Sequence, residues 1–371
     1  MPERPLSILH TESSTGWGGQ EIRTLTESRG MLDRGHRVTI VTPANAQMLP
    51  VAKRMGIPVE AIDIERRTPG SFGALRRWLA ARGDEFDVVN THSSTDSWLV
   101  ALASATLANA PPAVRTRHVS TAVHPRPWTR WLYLHAAKHI VTTGEALREQ
   151  LVRDNGFPPD HLTSVRTGID LERFRPLDRD AMRARLGLEA APTLGILATL
   201  RDWKGHEYLL EAFARLRSRF TAWRLLVVGD GPYRPTLEAL TDRLQLRDAV
   251  RYLGNRDDVP ECLSSLDLFA LPSYGDEGVP QGIMQAMACG LAVVSTPIGA
   301  IGEAVRDGVT GILVRPRDAA ALADALGAIM GDDARRAAMA QAGLAYARAN
   351  FGIDAMLDAM ERIFRRYGRT R

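Results

Sequence analysis

The sequence predicts an α/β protein made of two doubly wound parallel-sheet domains, and three observations lead there. At 371 residues the chain is long for a single hydrophobic core. Short apolar runs alternate with helical patterns through both halves, the βαβ rhythm of a parallel sheet covered by helices. A charged, proline-containing stretch, residues 173–186 (RFRPLDRDAMRARL), separates the halves.

In the first half, residues 6–10 (LSILH) read as a strand, 16–19 as a glycine-rich turn, and 21–34 as a helix ended by Gly35. Further strands are expected at 38–41, 88–91, 113–116 and 140–143. The second half repeats the plan. Strand 194–200 precedes helix 206–220, and strand 224–228 runs through the turn 229–232 into helix 234–246. A strand at 251–253, a short helix near 259–266 and a strand at 268–271 follow. Helix 280–289 then leads to strands 291–295 and 311–314 and to helices 319–330 and 333–350. Residues 353–367 space Met356, Leu357, Met360, Ile363 and Phe364 along one helical face. Two such domains facing each other leave a cleft, and open sheets bind ligands at the carboxyl ends of their strands.

Composition narrows the class. Hydrophobic residues make up 45% and charged residues 24%, as in ordinary globular proteins. The net charge of +4 is too mild to point to nucleic acid, and none is expected as a partner. Cys262 and Cys289 lack metal-like spacing and read as free buried thiols of a reducing compartment. The N-terminal MPERPLSILH shows no signal-peptide pattern, and no stretch of about 20 apolar residues suggests a spanning helix. The expected location is cytoplasmic. Lys53, Lys138 and Lys204 are the only lysines among 47 basic residues, so a retained lysine hints at a site wanting a compact ammonium.

The most informative stretch is 273–290, SYGDEGVPQGIMQAMACG. A strand pattern enters a loop holding Asp276 and Glu277. Pro280 falls in the first turn of a helix, and Gly290 closes that helix. A strand–loop–helix unit of this kind turns backbone N–H groups toward the loop, a seat for phosphate. Glu277 stands beside that seat, next to Gly278, while Gln281 and Gln285 project from the helix one turn apart. Such an arrangement suits a sugar nucleotide. Upstream, residues 198–205 (ATLRDWKG) follow a strand and open a helix, placing Arg201 and Lys204 where two cations would neutralise a diphosphate. The plainer alternative is a solvated loop with incidental cations. Residues 229–232 (GDGP) carry a weak signal, since Gly-Asp-Gly is common in strand-to-helix turns.

Near the N-terminus, Gly16-Trp17-Gly18-Gly19-Gln20-Glu21 lies between the first strand and first helix. It is not a GxGxxG, which disfavours a nicotinamide-type dinucleotide. Gly18 and Gly19 would let the backbone approach a ligand, or simply form a tight turn. His118 follows a strand within 115–120 (RTRHVS), and His92 ends the strand of 90–94 (NTHSS). Both are site candidates, although a lone histidine is more often structural. No Asp-x-Asp stands in a plausible loop, and Asp257-Asp258 reads as a helix N-cap, so no metal is expected.

The 273–290 stretch resembles the donor-site signature of retaining glycosyltransferases of family 4: a Glu, seven residues, a second Glu, Ala-Met-Ala and a Gly. Glu277 fills the first position; Gln285 replaces the second Glu. The resemblance spans nearly the whole chain and includes 165–176 (VRTGIDLERFRP), where Thr167 replaces the usual Asn. It implies the GT-B fold of two Rossmann-like domains: an acceptor-side domain over 1–172, a nucleotide-sugar domain over 173–352, and a final helix over 353–371 returning to the first. The family places an Arg five residues before its Lys-Gly pair. Thr199 stands there, and Arg201 is the substitute. The resemblance also implies a nucleotide-diphosphate sugar donor bound by Arg201, Lys204, Gly18, Gly19, Gly278, Gln281 and Gln285. It gives Glu277 and His118 catalytic roles, that of His118 being hydrogen bonding or positioning near the reacting sugar rather than classical base catalysis, places His92 and Gln20 on the acceptor side, and calls for no metal or other cofactor.

Residues 123–139 (VHPRPWTRWLYLHAAKH) mix Arg126, Arg130 and Lys138 with Trp128, Trp131 and Tyr133, and Arg66, Arg67, Arg76, Arg77 and Trp78 form a second basic patch. Two readings stay open: peripheral contact with the inner membrane, or an ordinary amphipathic helix on the sheet. The expected function is transfer of one sugar to a glycan or lipid-linked acceptor, in cell-surface polysaccharide or lipopolysaccharide assembly. The alternatives are a sugar-nucleotide epimerase and a non-catalytic sugar-nucleotide-binding subunit.

Overall fold

The computed structural model describes residues 4–119, 121–124, 126–275 and 277–369. The chain divides into two compact units, residues 1–168 with 353–371 and residues 169–352. Each is built on its own parallel sheet with helices between successive strands.

The first sheet holds β1 (Ser7–Thr11), β2 (Arg37–Thr42), β3 (Val59–Ala61), β4 (Val88–Thr91), β5 (Ala113–Arg117), β6 (Ala137–Thr142) and β7 (Leu162–Ser164) in the order β3-β2-β1-β4-β5-β6-β7. The second holds β8 (Thr193–Leu197), β9 (Arg224–Val228), β10 (Val250–Gly254), β11 (Leu268–Leu271), β12 (Ala292–Ser295) and β13 (Gly311–Leu313) in the order β10-β9-β8-β11-β12-β13. Helices cover both faces of such sheets, so their strands are buried throughout rather than alternately. Ile8, Leu9, Val88, Val89, Val114, Ile140 and Val141 are all fully inaccessible. In both sheets the order reverses between a first strand and its later neighbour, β1 beside β4 and β8 beside β11. The loops leaving those strands diverge at that switch point, where doubly wound sheets take their ligands.

Most expected elements stand within a few residues of their places. The edge strands β3 and β7 were not expected. Each has three residues, too few to show a period, and each pairs on one side only. Residues 127–142 differ as well: a short helix Pro127–Trp131 and a wider π-type turn Leu132–Ala136 lead directly into β6, three residues earlier than expected.

The helix Ile353–Tyr367 packs on the first unit. Met356, Leu357, Met360, Ile363 and Phe364 join Leu6, Ile8, Met31, Val38, Val88, Val114, Val141 and Val165 in one core, each such side chain worth roughly 1.5–3 kcal/mol of burial. Gly30 makes room for it, since a Cβ there would lie 2.4 Å from Leu357 Cδ1. Arg34 ties the helix down through Asp358 at 2.7 Å and Asp354 at 3.1 Å. Cys262 and Cys289 are free and buried.

Candidate active site

In the second unit, the loops after β8 and β11 leave neighbouring parallel strands at the same edge and are fastened together. Tyr274 N donates to Trp203 O at 2.8 Å, and Gly275 packs where a Cβ would lie 2.6 Å from Trp203 Cβ. Gly205, at φ +77°, closes against Pro272, whose carbonyl oxygen would sit 2.0 Å from a Cβ. Two of the expected site residues meet here. Lys204 Nζ donates to Glu277 Oε1 at 2.6 Å. Ser273 Oγ donates to the same oxygen at 2.7 Å. Glu277 is only 7% exposed, and Gly299 (φ +57°) holds it from behind, with a Cβ there falling 2.0 Å from Glu277 O.

The other donor-side candidates of this unit lie on the same two loops and on the helix that follows the second. Arg201 is exposed and lies over the Trp203 ring at 5.2 Å, separate from the Lys204–Glu277 bond. Thr199 starts the same loop, its carbonyl accepting from Arg201 N at 2.9 Å. Gln281 and Gln285 are half-buried on the helix Gln281–Ala288, and Gly278 is half-buried in the loop before it. Pro280 is the N-cap of this helix and not its first residue; its carbonyl accepts from Ile283 N and Met284 N. Asp276 lies outside the described residues, as do Ser120 and Pro125 of two other stretches read from the sequence.

The GDGP turn is explained by backbone packing. Gly229 and Gly231 bring the chain against the loop after β8, where added Cβ atoms would lie 2.0 Å from Ala198 O and 2.4 Å from Leu200 O. Asp230 pairs with Arg234 at 3.2 Å. Asp258 does occupy a helix N-cap, but its carboxylate is taken by Arg256 at 2.6 Å and makes no cap. Among the described residues no group of three His, Cys, Asp or Glu side chains is arranged to hold a metal.

In the first unit, the loops after β1, β4 and β5 converge. Gln20 Nε2 donates to Glu12 Oε2 at 2.5 Å and to Ser93 Oγ at 2.8 Å. Ser93 Oγ in turn donates to Glu12 Oε1 at 2.5 Å. Gly18 is the N-cap of the helix Gly19–Asp33, in extended backbone and with room for a Cβ, so its glycine answers to neither strain nor crowding within the chain. His92 Nδ1 and His118 Nε2 are 3.0 Å apart. His92 is buried and His118 half-buried, and loss of hydration holds both rings well below the usual imidazole range.

Several residues of this cluster escape a reading of the sequence. His10 ends the apolar run of β1 and is fully buried, its Nδ1 lying 2.9 Å from His92 Nε2. Burial, reinforced by Arg23, lowers it to about 3. Glu12 is fully buried and pushed up to about 8 by desolvation, with Asp96 adding to the rise. Asp96, raised to about 6 mainly by burial, accepts from Thr11 Oγ1 at 2.8 Å and from the backbone N–H groups of His92 and Ser93. The available signal was position, since polar residues that end apolar parallel strands lie at the ligand edge of the sheet.

Residues 17–173 match the family model of Glycosyltransferase Family 4, and residues 191–332 match that of Glycosyl transferases group 1. The D-inositol 3-phosphate glycosyltransferase of Stackebrandtia nassauensis is 30% identical over 370 residues, covering 89% of this chain and 83% of its own. That of Xylanimonas cellulosilytica is 31% identical, with 92% and 90% covered. Among solved structures, Anabaena HepE in complex with UDP and glucose superposes with a TM-score of 0.86 at 23% identity, over 97% of this chain and 99% of its own. WaaG, a glycosyltransferase involved in lipopolysaccharide biosynthesis, gives 0.75 at 17% identity, over 96% and 99%. The chain belongs to the family 4 glycosyltransferases, and its two Rossmann-like domains are those of the GT-B fold.

Proposed function

We propose that this glycosyltransferase is a retaining enzyme that moves a sugar from a nucleotide diphosphate to a hydroxyl of a glycan or lipid-linked acceptor. The observation that carries the reading is the Lys204–Glu277 pair at the switch point of the second sheet. An ammonium has three donors, so Lys204 can hold Glu277 and still meet a phosphate oxygen of the departing diphosphate. Arg201 supplies a second cation. Glu277, kept in place by Ser273 and Lys204, is suited to accept from donor hydroxyls and to stabilise positive charge on the anomeric carbon. Gln285 and Gln281 would face the nucleoside end. Anabaena HepE was solved with UDP-glucose, which favours a uridine donor for this chain. No resident metal or cofactor enters the reading.

On the first unit, His118 is assigned to the acceptor hydroxyl, with His92 and Gln20 beside it and the Gly18–Gly19 turn next to the ligand. For the acceptor, one observation favours a lipid-linked molecule. Trp128 is 55% exposed, with the Arg126 guanidinium 5.5 Å above its ring, a pairing suited to a lipid interface. Trp131 instead stacks on Trp98, Tyr133 is buried, and Trp78 bonds Glu60, so only part of the expected aromatic patch is available. Among the described residues no helix is long and apolar enough to cross a membrane. A second reading, a phosphorylated polyol acceptor, follows from the names of the relatives at 30–31% identity.

Labelled UDP-, GDP- and ADP-sugars offered with cell-envelope lipid extract, with D-inositol 3-phosphate, or alone will test this. Transfer to one acceptor with the donor's anomeric configuration kept, read by NMR, supports the proposal. Conversion of the donor alone identifies an epimerase, and binding without transfer identifies a non-catalytic subunit.

A further inference from the structure

Among the described residues, two that are not glycine take left-handed backbone, Gln245 at φ +56° and Arg317 at φ +58°. Gln245 has an ordinary reason. It follows the helix Arg234–Arg243, and the bonds from Gln245 N to Asp242 O and from Leu246 N to Thr241 O, both 3.0 Å, are those of a helix-ending turn. Arg317 stands at the other end of a helix. It lies between Pro316 and Asp318, the N-cap of the helix Ala319–Met330, whose side chain accepts from Ala321 N at 2.8 Å. Capping asks for non-helical backbone at the cap itself and not for a left-handed residue before it. Left-handed backbone is strained for any residue with a Cβ, and glycine or asparagine takes it at less cost. An arginine held there has a reason in its side chain.

That side chain reaches the loop that carries Glu277. The Arg317 guanidinium lies over the Tyr274 ring, 4.3 Å from its centre. Tyr208, from the helix His206–Leu216, meets the same ring edge-on, at 5.7 Å and 88°. Arg317 follows β13, the outermost strand of the second sheet, while Tyr274 follows β11, two strands further in. The neighbouring Arg315 takes no part, since it pairs with Asp318 at 2.9 Å. The loop's backbone is fastened from other sides. Tyr274 N donates to Trp203 O at 2.8 Å, Thr296 Oγ1 donates to Ser273 O, and Ala300 N donates to Glu277 O at 3.2 Å. Those bonds come from the loops after β8 and β12, and Arg317 adds a hold from the loop after β13.

We propose that Arg317 is a positioning residue for sugar transfer: with Tyr208 it clamps Tyr274, and so keeps Glu277, three residues on, set against Lys204. This rests on the role given to Glu277 in the proposed function. The chemistry suits a clamp. A ring face carries the negative side of its quadrupole, and a planar guanidinium stacks flat on it where an ammonium does not. Because Arg317 is exposed, the contact is strong enough to bias a loop several-fold and too weak to fold a domain. Strained backbone persists where the surroundings over-determine it, and such positions gather at functional sites. The strain at Arg317 and the contact it makes with Tyr274 oppose each other in the stability of the unit. Losing the side chain should therefore loosen the loop and slow transfer while leaving the fold as stable as before. A contact that serves folding alone has no such signature.

Arg317→Asn is the variant to make, since asparagine accepts left-handed backbone and lacks the guanidinium. Hydrogen exchange of the full chain without ligand, read by mass spectrometry on the segment around Tyr274, should run about threefold faster in the variant, the scale of one exposed cation–π contact. Turnover of UDP-glucose, with the acceptor found by the labelled-sugar experiment, should fall by a similar factor. KM for UDP-glucose should change less, because Lys204 and Arg201 remain for the diphosphate. The melting temperature should stay within about 2 °C of wild type. Arg317→Lys should recover part of the loss in both exchange and kcat. Adding Arg317→Asn to Tyr274→Leu should cost nothing further, while adding it to Tyr274→Phe, which keeps the ring, should cost the full factor. Unchanged exchange in Arg317→Asn overturns the clamp, whatever the rates do. Faster exchange with unchanged kcat overturns its part in transfer. A fall in melting temperature large enough to explain the lost activity reduces Arg317 to a folding contact and overturns the positioning role. Glu277→Ala tests the underlying reading separately: if that variant transfers sugar as well as wild type, the assignment of Glu277 fails, and the exchange measurement still decides whether Arg317 holds the loop.

Discussion

Lys204 Nζ and Glu277 Oε1 are 2.6 Å apart, with side chains only 19% and 8% exposed. They come from loops 73 residues apart in sequence, so their meeting is a product of the sheet order. In so sheltered a pair, each charge depends on the other. Glu277→Ala should lower turnover at least about a hundredfold, the scale of a lost electrostatic stabiliser. Lys204→Ala should raise KM for the donor as well as lower kcat, because it removes the proposed diphosphate contact and releases Glu277. In a double-mutant cycle the two losses should fall short of adding, with a coupling of about 0.5–3 kcal/mol. Simple additivity in kcat/KM would show that the two side chains act independently.

Glu277 is also placed by backbone. Gly299 (φ +57°) and Gly205 (φ +77°) each occupy positions where a Cβ would fall 2.0 Å from a carbonyl oxygen, of Glu277 and of Pro272. Neither oxygen sits on a flexible side chain that can swing away, so the loops themselves must shift. Gly299→Ala and Gly205→Ala should each lower stability by about 1–3 kcal/mol and cut activity by a larger factor than the unfolded fraction explains. Gly302 is the control, since a Cβ added there would meet nothing within 4 Å: Gly302→Ala should leave kcat unchanged. Thermal melts and initial rates on the three variants decide it.

How much of this was legible in the sequence depends on how local each feature is. Strand–loop–helix grammar around Glu277 sits inside 18 consecutive residues, 273–290, and could be read directly. Lys204 stood out because lysine is so rare in this chain. The histidine column could not be read this way. His10 and His92 are 82 residues apart, His92 and His118 are 26 apart, and only the β1–β4–β5 order brings them together. Arg23 and Glu27 stand four residues apart on the helix Gly19–Asp33 and are both fully buried, Glu27 facing His10 and Asn90 of the sheet and Arg23 Nη2 reaching Met360 Sδ of the C-terminal helix. Arg23 Nη1 donates to Val165 O at 2.7 Å, a contact no local pattern could announce.

His206 supplies a stability test in the second unit. It is 2% exposed, and burial together with the adjacent Lys204 charge lowers it to about 3. The folded ring therefore stays neutral while the unfolded ring takes up a proton below its ordinary value of 6.5. Protons favour the unfolded state in this window, so stability attributable to His206 is intact above 6.5 and falls as pH drops toward 3. His206→Phe removes that dependence. Relative to wild type, the variant should gain about 1.4 kcal/mol for each pH unit below that value. Denaturant melts on both proteins at neutral and acid pH measure it, and a constant difference between them would contradict a neutral buried ring.

Gln285 offers the last test, since it stands where the family signature carries a second Glu. A glutamine amide accepts one hydrogen bond and donates another, but neither gains charge assistance. Charge-assisted bonds are about twice as strong as neutral ones, a difference on the order of 1 kcal/mol, or about fivefold in affinity. Gln285 is half-buried on the helix Gln281–Ala288, one turn from Gln281, so a carboxylate there needs no repacking of the core. Gln285→Glu should therefore tighten binding of the preferred sugar nucleotide about fivefold. The corresponding free nucleoside diphosphate should gain as much if, as proposed, the contact is to the ribose and not to the sugar. Isothermal titration with both ligands is the measurement. Weaker binding of both would mean that the pocket here is shaped for an amide, and that the glutamine is part of how this chain chooses its donor.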